Sequence, residues 1–172
     1  RAHAKAIDTV NAASERVHGY VARETERILD RGAIPALLGG DHASPFALIA
    51  ELSQRHRGMG ILQVDAHADL REEFEGFRWS HASIFHNVMT RLPDVGRLVQ
   101  VGIRTMNGHQ REQARRFNVE TIDMRAWAAG ARPSVTGPIY VSIDLDGLDP
   151  AFAPGVSHRE PGGLSVRDVI GL

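Results

Sequence analysis

The order of apolar and polar positions along the chain predicts helices that alternate with strands. Between Ala4 and Asp30, apolar residues recur mostly at steps of three and four, which is the period of an amphipathic helix. Similar patterns predict helices at 45–56, 83–91 and 109–117, and Ser165 is placed to cap a last one. Short apolar runs predict strands at 33–38, 59–65, 97–103, 119–123 and 138–144. The stretch 70–80 has no clean period and is predicted to be a loop.

Strands that alternate with helices are typical of parallel sheets, because each parallel connection has to cross back over the sheet. We therefore expect a three-layer α/β/α arrangement with a mainly parallel sheet, formed by one domain over residues 1–172. The long first helix is expected to belong to the core rather than to an oligomer face. Ligands of such folds bind at the carboxyl ends of the strands, so the chemistry is expected after Leu38, Val64 and Ile143.

Composition narrows the classes of partner. The chain has 20 Lys and Arg residues against 21 Asp and Glu residues, so no excess of positive charge indicates nucleic acid or an anionic membrane as a partner. Its apolar runs are far shorter than the roughly 20 residues that a membrane span needs. The absence of cysteine excludes thiolate ligands and a cysteine nucleophile. We expect a soluble protein whose chemistry uses carboxylates and imidazoles.

Residues of the types that bind metals follow three of the predicted strands. The segments are Gly39-Gly40-Asp41-His42, Asp65-Ala66-His67-Ala68-Asp69 and Asp144-Leu145-Asp146. An aspartate at the end of one strand is usually a turn or cap residue. Three such segments at the same edge of a parallel sheet instead predict a shared metal site.

Counting charges favours two ions at this site. Four carboxylates balance two divalent cations, and two imidazoles add neutral nitrogen ligands; the residues are Asp65, Asp69, Asp144, Asp146, His42 and His67. An oxygen-rich set without thiolates suits manganese. Two neighbouring ions lower the pKa of a shared water and so supply hydroxide near neutral pH, which predicts a hydrolase.

These segments resemble the ureohydrolase family, which includes arginases, agmatinases and guanidinobutyrases. Residues 142–163 match the longest signature of the family and residues 61–69 match the second. The first segment departs slightly, because Ala43 stands where the family usually has serine. Family members are generally longer at both ends, so the resemblance implies that this chain is an internal part of a longer protein.

The resemblance implies a role for each matched residue. One manganese ion would be bound by His42, Asp65, Asp69 and Asp144, and the other by Asp65, His67, Asp144 and Asp146. Asp65 and Asp144 would bridge the two ions, a hydroxide would attack the guanidinium carbon, and Asp69 would pass a proton to the leaving amine. His81 matches the loop histidine of the family, which shuttles protons or contacts the substrate. The products would be urea and a primary amine.

The expected substrate is agmatine, which would be cleaved to putrescine. Arginases recognise the α-amino group of arginine partly with acidic residues after the equivalent of Ile103-Arg104, whereas this chain continues with 105–107, Thr-Met-Asn. A substrate carboxylate bound by Arg71 or Arg104 would instead favour guanidinobutyrate. Arginase or formiminoglutamase activity, a non-catalytic relative and an inactive fragment remain alternatives.

Other residues receive supporting roles. The guanidinium-binding glutamate of the family lies beyond the 161–164 turn, so Glu160 is expected to support the loop or a metal ligand. His158 borders the expected pocket, Asp41 is expected to orient a ligand imidazole, and Asp149 is expected to be a turn residue. By analogy with the family we expect a homo-oligomer. We also expect a cytoplasmic location.

Overall fold

The computed structural model describes residues 2–172, with side chains from Ala4 onward. The chain divides into two compact units. The helical unit consists of the chain up to Arg57 together with Asp69–Asp94, and the sheet unit consists of Gly58–Ala68 together with Val95–Leu172. Within the described residues, no helix is long and apolar enough to cross a bilayer. The expectation of one domain over 1–172 stays a prediction.

The helical unit contains three helices, each within two residues of its predicted ends. They are α1 (Ala2–Asp30), α2 (Phe46–Arg55) and α3 (Ile84–Arg91). A short 3₁₀ turn, His81–Ser83, leads directly into α3. Helix α2 packs against both α1 and α3.

Helix α1 buries polar residues on the side that packs against its own unit. Asn11, His18 and Thr25 are buried at intervals of seven, whereas Val10 and Val17 are about half exposed. Two of these polar groups contact loop backbone: Asn11 donates to the carbonyl oxygen of Gly76 at 3.3 Å, and the His18 ring nitrogen lies 3.1 Å from that of Ala43. The prediction that α1 belongs to the core therefore holds for one of its faces only.

The sheet unit contains four parallel strands, as the alternating pattern predicted. They are β1 (Met59–Val64), β2 (Val95–Ile103), β3 (Glu120–Asp123) and β4 (Ile139–Ile143), in the spatial order β3-β2-β1-β4. The helices of this unit are α4 (Gly108–Arg116), α5 (Met124–Ala128) and α6 (Val166–Ile170). The α/β fold class with a parallel sheet is confirmed.

One face of the sheet carries the apolar core of this unit. Its buried members are Leu62, Val64, Val99, Val101, Ile122, Trp127 and Leu164. Helix α5 contributes Trp127 and was not predicted, because five residues are too few to show a helical period. Its signal was local: the Asp123 carboxylate accepts hydrogen bonds from the backbone N–H groups of Arg125 and Ala126.

The strand predicted at 33–38 is not formed. Ile34 and Leu38 have exposed fractions of 94% and 100%. A strand requires a neighbour that accepts and donates its backbone hydrogen bonds, and no strand among the described residues pairs with this segment. Pro35 also removes one backbone donor. The apolar run alone was therefore insufficient evidence for a strand.

Candidate metal centre

The register of the parallel strands places two predicted ligands side by side. Val64 of β1 pairs with Ile143 of β4, so Asp65 and Asp144 follow at neighbouring positions. The backbone N–H of Asp144 donates to the carbonyl oxygen of Val64 at 2.9 Å. The N–H of Asp65 donates to Val101 of β2 at 3.0 Å. The sheet thus holds the backbone of both aspartates.

Asp65, His67 and Asp146 form a compact cluster at this edge of the sheet. One potential ligand atom from each lies within 4.8 Å of the others. The His67 Nδ1 atom is 3.1 Å from Asp146 Oδ2 and 3.7 Å from Asp65 Oδ1. Asp144 connects to the cluster because its Oδ1 accepts the backbone N–H of Asp146 at 3.0 Å. The structure therefore brings the four predicted ligands of the sheet unit together.

Backbone groups of the same loops fix the two buried carboxylates. Asp65, only 1% exposed, accepts the N–H of His67 on Oδ1 at 2.7 Å. Asp146, 7% exposed, accepts the N–H of Ala66 on Oδ1 at 3.1 Å. A Cβ atom at Gly147 would lie 2.9 Å from the backbone nitrogen of Asp65. Glycine is required there for the two loops to approach each other.

The electrostatics of the cluster favour an added positive charge. Hydrogen bonds to Asp146 and Asp65 raise the pKa of His67 to about 10. Burial raises the pKa of Asp146, and the neighbouring carboxylates of Asp65 and Asp144 raise it further. Three carboxylates and one imidazole are the donor set that hard and borderline divalent cations prefer. The residues present therefore fit a divalent metal ion.

The helical unit brings two further predicted ligands together. The Nδ1 atom of His42 lies 3.2 Å from Oδ2 of Asp69. The His42 ring stands edge-on to Phe85 with 5.6 Å between the ring centroids. Asp69 has a φ of +52°, in the left-handed region that aspartate tolerates better than most residues. Its carbonyl oxygen accepts N–H groups of Phe85 and His86 at the start of α3. These hydrogen bonds connect the turn at Asp69 to the first residues of α3.

His81 begins the 3₁₀ turn before α3. The turn is capped by Ser80, whose hydroxyl oxygen accepts the N–H of Ala82 at 3.2 Å. The His81 side chain is 44% exposed, and its Nδ1 lies 3.9 Å from Oδ2 of Asp41. The other carboxylate oxygen of Asp41 accepts the N–H of Ala43 at 2.7 Å. Asp41, expected to orient a ligand imidazole, thus lies beside the loop histidine.

Arg104 binds backbone of the metal loops and not a counter-charge. All three of its guanidinium nitrogens donate to carbonyl oxygens, which belong to Gly102, Asp146, Gly147, Leu148 and Glu160. These contacts join the end of β2 to the segments 146–148 and 160–163. The donors of Arg104 are therefore engaged by backbone carbonyls, which argues against the expectation that it binds a substrate carboxylate. A Cβ atom at Gly163 would lie 2.6 Å from the backbone nitrogen of Asp149 and from the Arg104 Nη2 atom, so this packing requires glycine.

The loop after the cluster is held by Asp149, as its expected turn role requires. Its carboxylate accepts N–H groups of Ala151, Gly162 and Gly163, and these hydrogen bonds lower the pKa of Asp149. Glu160, in the same loop, places Oε1 at 3.7 Å from Nε2 of His67. Glu160 therefore faces Nε2 of His67, whereas Asp146 faces Nδ1 of the same ring.

Sequence reasoning missed two residues beside this cluster: Gln63, which donates to Asp65, and Gln100, which donates to Gln63. Both are fully buried in the middle of strands. The available signal was the polar residue that interrupts each apolar run, since a buried polar side chain requires a hydrogen-bond partner.

A model of the arginase family matches residues 2–172. The chain belongs to the arginase family. It is 40% identical over 168 residues to Arginase 1, mitochondrial, of Arabidopsis thaliana, covering 92% of this chain and 48% of that protein. It is 34% identical over 176 residues to N(1)-aminopropylagmatine ureohydrolase of Thermus thermophilus, covering 98% of this chain and 59% of that protein.

The fold of the family is matched as well. The arginase structure from Medicago truncatula superposes with a TM-score of 0.83 at 40% identity, over 91% of this chain and 52% of that one. The resemblance inferred from the three motifs is therefore confirmed. The chain spans about half the length of these relatives.

Proposed function

We propose that this chain carries the metal centre of a binuclear manganese ureohydrolase, which cleaves a guanidino compound to urea and an amine. The observation that carries the proposal is the cluster of Asp65, His67 and Asp146 at the carboxyl edge of a parallel sheet in a member of the arginase family. Its excess of negative charge and its oxygen and nitrogen donors support two divalent ions better than a catalytic site without metal.

Six residues are proposed to hold the two ions. His42, Asp65, Asp69 and Asp144 would bind one ion, and Asp65, His67, Asp144 and Asp146 the other. When bound, manganese ions would supply a water of lowered pKa and polarise the guanidinium group. Shared use of Asp65 and Asp144 is supported by their neighbouring positions after paired strands.

The proton transfers are assigned to residues of the helical unit. Asp69 is proposed to pass a proton to the leaving amine, and its 3.2 Å approach to His42 keeps its carboxylate oriented. His81 is proposed to exchange protons with the solvent or to contact the substrate. Its 44% exposure suits contact with water.

Agmatine is the proposed substrate, with putrescine as the amine product. No acidic residue follows Arg104 over 105–107 to bind the α-ammonium group of an amino acid. The carbonyl contacts of Arg104 also remove it as a partner for the carboxylate of a guanidino acid. L-arginine is the second candidate, because the Arabidopsis relative at 40% identity is named an arginase.

The test loads the 172-residue chain with manganese and measures both the bound metal and the urea released from agmatine, L-arginine and 4-guanidinobutyrate. We expect two manganese ions per chain and urea from agmatine, with neither in the Asp144→Ala control. Urea from L-arginine alone would overturn the proposed substrate and keep the reaction. Two bound ions without urea from any compound would show that these residues bind metal but do not suffice for catalysis.

We also propose an assembly and a location for the protein, and each has its own test. A homo-oligomer is proposed by analogy with the family, and sedimentation of the purified chain tests it. The proposed cytoplasmic location is tested by cell fractionation, which is informative because the Arabidopsis relative is named as mitochondrial.

A further inference from the structure

Two glutamines lie side by side inside the parallel sheet. Gln63 of β1 and Gln100 of β2 are direct partners in the strand register, and both are fully buried. Their strand neighbours on either side are apolar. Burying an amide costs free energy unless its hydrogen bonds are formed, so a leucine or methionine pair would fill these positions more simply. The pair therefore suggests a function beyond packing.

The two side chains form a chain of hydrogen bonds that ends on Asp65. The Gln100 Nε2 atom donates to Gln63 Oε1 at 2.7 Å. The Gln63 Nε2 atom donates to Asp65 Oδ2 at 2.9 Å. Each amide also donates to the loop after β1, Gln63 to the carbonyl of His67 and Gln100 to that of Ala68. Both glutamines thus contact the segment that carries the metal ligands.

The direction of this chain is fixed by the groups at its end. An ionised Asp65 carboxylate and the His67 carbonyl only accept hydrogen bonds, so Gln63 must present its NH₂ group to them. Its oxygen then faces Gln100, which must present its own NH₂ group to that oxygen and to Ala68. Turning either amide over would set oxygen against oxygen. Gln100 therefore donates to Gln63, and Gln63 donates to Asp65.

Both oxygens of the Asp65 carboxylate accept hydrogen bonds from neighbouring residues. Oδ2 of Asp65 accepts from Gln63, and Oδ1 accepts the N–H of His67 at 2.7 Å. A carboxylate has about four lone-pair sites on its two oxygens, so an oxygen that accepts a hydrogen bond can also bind a cation. Hydrogen bonds on both oxygens hold the plane of the carboxylate in one orientation.

We propose that Gln63 and Gln100 form a buried amide relay that orients the Asp65 carboxylate for metal binding. Both are positioning residues: Gln63 acts directly on Asp65, and Gln100 acts through Gln63. The inference rests on the proposed function, because it takes Asp65 to be a metal ligand. It adds that the affinity for manganese is set partly by two residues that never touch the ion.

The test titrates manganese into the full 172-residue chain by isothermal titration calorimetry. The variants are Gln63→Met, Gln100→Met and the double variant, with thermal unfolding in EDTA to verify that each is folded. The matched control is Gln110→Met, which removes another buried glutamine of the sheet unit, on α4, with an exposed fraction of 7%. Each of the three substitutions replaces a buried amide by an apolar side chain of similar length.

We expect Gln63→Met to raise the dissociation constant for manganese about tenfold, the usual scale for a partner of a metal ligand. Gln100→Met should raise it about threefold, the value of one modest hydrogen bond. The double variant should bind no more weakly than Gln63→Met alone, because Gln100 acts only through Gln63. Gln110→Met should bind manganese like the wild type.

Three results would overturn the relay. One is wild-type affinity in folded Gln63→Met, and another is that the losses of the two single variants multiply in the double variant. If Gln63→Met does not fold, wild-type affinity in folded Gln100→Met is the third. A wild-type chain that binds no manganese would overturn the proposed function and the relay together, whereas unchanged binding by the variants overturns the relay alone.

Discussion

The two units of the molecule present metal-ligand residues in different ways. In the sheet unit, Asp65 and Asp144 follow strands in fixed register, and backbone N–H groups orient the carboxylates of the cluster. In the helical unit, His42 follows a segment that forms no strand and whose last apolar residue, Leu38, is fully exposed. The sequences look alike, since both place an aspartate and a histidine after a short apolar run.

The difference shows what preorganises a ligand. An apolar run followed by metal-ligand residues becomes a rigid platform only where neighbouring strands complete its backbone hydrogen bonds. The cluster of the sheet unit has this support. The pair of His42 and Asp69 is held by a turn and by the first residues of α3. We therefore expect the ion bound by the sheet unit's ligands to be the tighter of the two.

The largest expected effect separates the two regions by metal stoichiometry. Asp65→Asn should abolish binding of both manganese ions, because Asp65 is proposed to bridge them. His42→Asn should remove only the weaker ion. Equilibrium dialysis with elemental analysis measures the bound metal. Equal losses in the two variants would show that the regions do not differ as described.

The next effect concerns the packing that supports the sheet unit's cluster. Arg104→Met should lower the free energy of unfolding by about 3 kcal/mol, because several carbonyl oxygens lose their donor. Arg104→Lys should lose less unfolding free energy than Arg104→Met but remain below the wild type, since one ammonium group cannot reach all the carbonyl oxygens that the guanidinium group reaches. Urea denaturation measures both variants. The exposed Arg111→Met is the control and should change the free energy by less than about 0.5 kcal/mol; similar losses in both would refute the supporting role.

A smaller effect depends on pH and on His67. Its folded pKa of about 10 lies above the unfolded value of about 6.5, so its protonation stabilises the metal-free chain fully below pH 6.5. This contribution is lost as the pH rises toward 10. The difference in unfolding free energy between wild type and His67→Gln, measured in EDTA, should therefore shrink over that range.

Two further observations check the same assignment. Manganese affinity should increase with pH over the same range, because the ion displaces a proton from His67. The exposed His109→Gln should leave the pH dependence of stability as it is in the wild type. A stability difference for His67→Gln that is constant with pH would contradict the strong contacts of His67 with Asp146 and Asp65.

The smallest effect concerns the helix that closes the loop after the cluster. Ser165 and Asp168 form a capping box at the start of α6. Ser165→Ala should lower the free energy of unfolding by about 1 kcal/mol without changing manganese affinity. Ser134→Ala, at an exposed position, should have no measurable effect. A loss of manganese affinity in Ser165→Ala would contradict this prediction and show that α6 also supports the metal ligands.

Much of the fold followed from the sequence, because periodic patterns report local structure directly. The strands of the sheet unit and the long helices were predicted within about two residues. The failure at 33–38 arose because a strand depends on neighbours that no local pattern describes. Helix α5 was missed because it is too short to show a helical period. Its only local signal is the cap at Asp123.

The sequence predicted the metal ligands of the candidate site, but it did not predict the residues that hold those ligands in place. Asp65, His67 and Asp146 were visible because strand ends and metal-ligand residue types coincide. The role of Arg104 depends on carbonyl groups from three separate segments, which sequence does not bring together. Gln63 and Gln100 left a visible signal as polar residues in buried strands, but their partners became identifiable only through the register of β1 and β2.

The most direct test of the account is a crystal structure of the manganese-loaded chain with anomalous diffraction data at the manganese edge. Two anomalous peaks are expected, one of them coordinated by Asp65, Nδ1 of His67, Asp144 and Asp146, with the His67–Asp146 hydrogen bond replaced by metal–ligand bonds. A manganese peak elsewhere, with His67 still hydrogen-bonded to Asp146, would contradict this expectation.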